Sequence, residues 1–67
     1  MNGDADAINQ THVTTLDRAG RTLSIVTLSD GRWAIAREGQ VLADKHWPAD
    51  RMPGCAREFL RLMRADA

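Results

Sequence analysis

The chain of 67 residues has a single cysteine, Cys55, so no intrachain disulfide can staple it. A lone thiol suits a reducing compartment, and the cytoplasm is the expected location. Histidine is as sparse as cysteine. His12, His46 and Cys55 lie far apart with no pair at finger spacing, which excludes a zinc motif, and no cofactor is expected. Tyrosine is absent, and the aromatic residues are two tryptophans and one phenylalanine. No apolar run reaches the length of a membrane span or a signal-peptide core, and the N-terminus carries Asp4 and Asp6 where a signal would be basic. Neither sign of charge prevails: nine Lys and Arg balance nine Asp and Glu, so strong nonspecific attraction to nucleic acid or anionic lipid is not expected. Lysine is nearly missing. Arginine outnumbers it eight to one, a bias that, with frequent alanine, is similar to that of GC-rich bacterial or phage genes.

What is present is a run of strand and turn signals from Thr22 to Asp44. Asp30-Gly31 reads as a two-residue hairpin loop, because a type I′ turn needs positive φ at both central positions. Glu38-Gly39 reads as a weaker turn of the same kind. Ahead of them, Thr11 to Leu16 is rich in β-branched residues that suit a pleated surface, and Asp17 to Gly20 has the Asp-first, Gly-last order of a type I turn. Strands are expected at 11–16, 21–28, 33–37 and 40–43, paired as an antiparallel meander. Residues 1–10 are polar without period and read as a flexible tail, leaving 11–67 as a single ββββα domain.

Pro48 and Pro53 end the sheet, since proline lacks the N–H a ladder needs. His46 to Gly54 is expected to be a linker, with Trp47 folding back onto the core. From about Pro53 to Arg64 the period becomes helical. Cys55, Ala56, Phe59, Leu60, Leu62 and Met63 fall in one apolar sector, with Arg57, Arg61 and Arg64 opposite. The expected fold is therefore α+β: a four-stranded antiparallel meander with one C-terminal helix on one sheet face.

Two-residue loops at both turns place Val26 opposite Ile35 and Leu28 opposite Trp33. One face then holds Val26, Leu28, Trp33, Ile35 and Leu42, joined by Val13; the other holds Leu23, Ile25, Ala34, Ala36, Val41 and Ala43, joined by Leu16. Both are apolar. The small alanines suit close approach of the helix, which leaves the Trp33 face uncovered. An uncovered apolar face marks an interaction surface, so Val26, Leu28, Trp33, Ile35 and Leu42 are the expected partner-binding residues. The reversed assignment, with Trp33 and Ile35 beneath the helix, leaves Leu23, Ile25 and Val41 to be covered instead.

Catalytic signals are missing. Asp17, Asp30, Asp44 and Asp50 fall mostly in turns or at element ends, where aspartate serves turn geometry or capping. Neither His12 nor His46 has a nucleophile placed beside it. Cys55 reads as a small buried hydrophobe, although the start of a helix can lower a thiol pKa. Gly20, Gly31 and Gly39 are turn glycines rather than a phosphate loop. An enzyme is not expected. The segment GRWAIAREGQVLA ahead of an amphipathic helix, over Gly31 to Met63, resembles the small sheet-plus-helix domains of AP2-type and integrase N-terminal DNA binders. That resemblance implies a sheet face entering the major groove, with Arg37, Arg32 and Arg21 as the side chains able to reach DNA. The leading expectation is a non-enzymatic protein-protein interaction module, a homodimer or small subunit, of the inhibitor or adaptor type found in phage and mobile elements. The alternative is a DNA- or RNA-binding regulator using Arg57, Arg61 and Arg64. No membrane partner is expected.

Overall fold

Three glycine turns fold the chain into its sheet, and the geometry of each turn decides which side chains share a face. The computed structural model describes residues 7–65. Strands β1 (Ile8–Leu16), β2 (Thr22–Leu28), β3 (Trp33–Arg37) and β4 (Gln40–Trp47) form one sheet in the order β1-β2-β3-β4, followed by helix α1 (Met52–Ala65). All three pairings are antiparallel. The α+β meander with one C-terminal helix is as the sequence predicts.

The Asp30-Gly31 loop differs from expectation. Leu28 N–H donates to the Arg32 carbonyl at 2.8 Å, and Gly31 N–H donates to the Leu28 carbonyl at 2.9 Å. Ser29, Asp30 and Gly31 thus form a three-residue loop, a type I turn closed by a left-handed glycine with φ 95°. The Asp30 carboxylate fixes it, accepting from Arg32 N–H at 3.1 Å and Arg32 Nε at 2.6 Å. The β1–β2 turn repeats this geometry: Asp17 N–H donates to the Arg21 carbonyl at 2.8 Å and Gly20 N–H to the Asp17 carbonyl at 3.0 Å. The loop with two consecutive positive φ values is Glu38-Gly39, at 55° and 81°.

One extra loop residue shifts the β2–β3 register by one. Ile25 faces Ile35, Val26 faces Ala34 and Thr27 faces Trp33. Because side chains alternate, a one-residue slip moves a strand's whole set to the other face, so each expected face proves to be a mixture. Leu23, Ile25 and Ile35 form one cluster with Cys55 and Phe59 of α1, and Trp33, Leu42 and Trp47 pack against it. Val26, Leu28, Ala34 and Ala36 form a second cluster with Val41 beside them. The helix therefore covers the tryptophan side of β3, and not the alanine side. Cys55 sits close enough for its Sγ to approach the Ala34 carbonyl at 3.7 Å.

Element bounds differ in three places. The expected tail at 1–10 falls partly outside the described residues; Ile8 to Gln10 belong to β1, where Ile8 faces Leu28 and Gln10 faces Thr27. Two register shifts between Ile8 and Val13 hide its alternation. Strand β4 continues past Ala43 to Trp47, through another irregularity opposite Ala34 to Ala36. Helix α1 spans Met52–Ala65 in place of 53–64, and Leu60 lies at its exposed flank while Cys55 and Phe59 are buried.

Candidate functional site

The five expected partner-binding residues are not brought together. Trp33, Ile35 and Leu42 belong to the core under α1, whereas Val26 and Leu28 lie in the opposite cluster. The open apolar patch is also missing, since Val26, Leu28, Ala34 and Ala36 each keep 1% or less of their surface exposed. Exposed large apolar side chains occur elsewhere, at Ile8, Val13 and Leu16 on β1 and at Met52 and Leu60 on α1.

Strand β1 (INQTHVTTL) is one edge of the sheet, nearly all of it exposed. It has no charged residue and no proline, the two devices that most often keep an edge from pairing. The other edge, β4, carries Asp44 and Lys45. Register shifts bend the first half of β1, but Val13 to Leu16 pair with β2 without a break.

Aromatic rings gather at one end of the sheet. Trp33 faces Trp47 across β3 and β4. The His12 ring lies on Trp33 with centroids 4.6 Å apart, and His12 Nε2 is 3.1 Å from Thr27 Oγ1. Trp33 Nε1–H donates to the Ala49 carbonyl at 3.0 Å, and Arg51 N–H donates to the Pro48 carbonyl at 2.9 Å. These bonds hold the turn between β4 and α1 against the sheet. Beside it Trp47, Pro48, Asp50, Arg51, Gly54 and Arg57 line an open cleft of about 630 Å³. A Cβ at Gly54 would stand 3.2 Å from the Trp47 ring, so glycine lets the indole lie against the first turn of α1.

The helix arginines differ in their surroundings. Arg61 forms two bonds to Glu58, Nε to Oε1 at 2.8 Å and Nη2 to Oε2 at 2.6 Å, and Lys45 Nζ reaches Glu58 Oε2 at 2.7 Å. Bonding to Arg61 and then Lys45 draws the Glu58 carboxyl down to about 2. Arg57 and Arg64 have no acidic partner among the described residues.

Asp17, Asp30 and Glu38 each fix a turn or a strand end. Asp17 has a side chain wholly removed from solvent. Its Oδ1 accepts from Ala19 N–H and Arg21 N–H, and its Oδ2 meets Arg37 Nη1 at 2.7 Å and Arg21 Nε at 3.0 Å. Asp30 fixes its loop, and the bond from Arg32 N–H holds its carboxyl below the usual range. Glu38 is likewise lowered, chiefly by Thr22 N–H, which donates to Oε2 at 2.8 Å. Burial pushes the Cys55 thiol up to about 11, which disfavours the reactive thiolate. The three arginines that a DNA-binding sheet face would use are engaged within the chain: Arg21 and Arg37 by Asp17, Arg32 by Asp30 and by His46 Nδ1 at 3.1 Å. No group of three His, Cys, Asp or Glu able to hold a metal occurs among the described residues. No helix there is long and apolar enough to cross a membrane.

No protein-family profile, no curated protein and no solved structure matches the chain.

Proposed function

We propose that the chain is a non-enzymatic protein-binding module that works by strand addition at β1, with a second copy of itself as the occupant. The supporting observation is an exposed, uncharged and proline-free strand at the open edge of the sheet. An edge strand offers a row of backbone N–H and C=O groups, and pairing satisfies them. Self-pairing brings no like charges together, because β1 has none. Ile8, Val13 and Leu16 supply apolar area beside the new ladder. In the cell such a module acts as an adaptor or inhibitor in the cytoplasm, where the free thiol of Cys55 is stable. The arginine bias favours a bacterial or phage source.

Solution mass by sedimentation over a wide range of protein concentration tests this reading. A dimer that dissociates on dilution is the expected result. A monomer at every concentration overturns self-pairing.

The nucleic-acid reading has less support. It rests on Arg57, Arg61 and Arg64, of which Arg61 is held by Glu58, and the formal net charge is zero. Salt separates the two readings, because phosphate binding weakens steeply as salt rises while an edge ladder does not.

A further inference from the structure

We infer that the cleft beside Trp47 docks an acidic peptide segment of a partner protein, taking one Asp or Glu side chain next to an apolar residue. The walls supply both halves of that recognition. Trp47, Pro48 and Pro53 give an apolar surface, and tryptophan combines large contact area with few rotatable bonds. The polar groups are mostly donors. Arg51 and Arg57 line the cleft, and neither guanidinium is engaged by an acidic side chain among the described residues. Trp47 Nε1–H likewise has no acceptor there. Asp50 is the one carboxylate among the lining residues, against the two guanidinium groups of Arg51 and Arg57. Helix α1 also begins here with no acidic residue in its first turn, so its positive end adds to the same field.

Guanidinium groups bind carboxylate through paired N–H donors, and such charge-assisted bonds exceed neutral ones in strength. The site is built before a ligand arrives. The Trp33 bond to Ala49 and the Pro48–Arg51 turn hold one wall, and the missing Cβ of Gly54 lets the Trp47 indole lie against the first turn of α1. Preorganisation of this kind lowers the cost of binding. A peptide suits the cleft better than a nucleic acid, because the cleft offers two cations and an apolar floor in place of a phosphate-tracking row. No residue of β1 lines the cleft, so a dimer and a monomer bind the peptide alike.

The test uses the full chain, isotope-labelled, titrated with a short acetylated peptide of alternating Glu and Leu. Two counterparts accompany it: the same peptide with Lys for Glu, and a short oligothymidylate. The Trp47 indole N–H resonance, assigned by its loss in Trp47→Phe, is expected to shift saturably with the Glu peptide and not with the Lys peptide. Substituting Arg51→Gln and Arg57→Gln together weakens binding about tenfold or more, the usual scale for losing bonds to a charged group. Arg64→Gln, on the same helix but off the cleft, leaves binding unchanged. Both arginines are exposed, so the double variant keeps its fold, and its thermal unfolding checks that. The proposal fails if the Glu peptide gives no saturable shift, if the Lys peptide binds equally, or if the double variant binds as tightly as the parent. Tighter binding of the oligothymidylate also overturns it, in favour of a phosphate surface.

Discussion

Arg37 Nη1 lies 2.7 Å from Asp17 Oδ2, joining the β1–β2 turn to the end of β3 across a carboxylate that solvent does not reach. Two turn N–H groups and two guanidinium groups converge on Asp17. Removing one partner of a buried ion pair costs more than the pair contributes, because the other charge is left without its counterion. Asp17→Ala is therefore expected to lower stability by about 3 kcal/mol. Asp17→Asn, which keeps an acceptor for the turn, should lose less. Urea unfolding measures both, and a loss in Asp17→Ala no larger than at an exposed turn aspartate contradicts this role.

Ile25 and Ile35 show where the sequence could be read and where it could not. Element order was legible because every turn has its residue: Gly20, Gly31 and Gly39 each adopt positive φ. Register was not, because Asp-Gly serves two loops. It can occupy both positions of a two-residue type I′ turn, or the last two of a three-residue loop in which only glycine is left-handed. Here Asp30 bonds forward to Arg32, which favours the longer loop. That single residue decides whether Ile35 faces Ile25 or Val26, and with it which side the helix covers. The cleft was illegible for a different reason. Trp47 and Arg57 meet only through the turn at 48–51, and the available signal was Gly54, a residue that weakens a helix unless something approaches it closely.

Acid should reveal the Glu58 pair. Its carboxyl titrates near 2 in the folded chain, below the ordinary value of 4.5. A lowered folded pKa means the unfolded chain binds the proton more readily. The stabilisation is then complete above about 4.5 and is lost as pH falls toward 2. Chemical unfolding across that window should show a falling midpoint, and Glu58→Gln should flatten the fall. Asp30 and Glu38 are also lowered, so some slope remains in the variant. An identical slope in parent and variant would exclude a contribution from Glu58.

Cys55 gives a readout of the core. Its side chain is fully buried between α1 and the sheet, and its thiol is raised to about 11. Both effects suppress the thiolate that an alkylating reagent attacks. Iodoacetamide at mildly alkaline pH should label the native chain far more slowly than the urea-unfolded chain, with the rate rising in step with the unfolding curve. Labelling of the native chain at the rate of a free thiol would mean that the helix does not stay on the sheet.

The β1 edge offers the most direct functional prediction. Natural edges resist pairing by carrying lysine or proline, and β1 has neither. Val13 and Leu16 are 46% and 64% exposed, so lysine at either position meets water rather than core. The Val13→Lys, Leu16→Lys double variant should keep the parent's circular dichroism and change stability by less than about 1 kcal/mol. Its self-association should be lost, because two-fold pairing doubles every added charge at the new ladder. A Val13→Thr, Leu16→Thr variant separates charge from lost apolar area: threonine suits a strand, so the ladder still forms and the dimer weakens only modestly. If the lysine variant dimerises like the parent, the occupied surface is not β1. If the threonine variant fails as completely as the lysine one, apolar contact rather than strand pairing holds the dimer together.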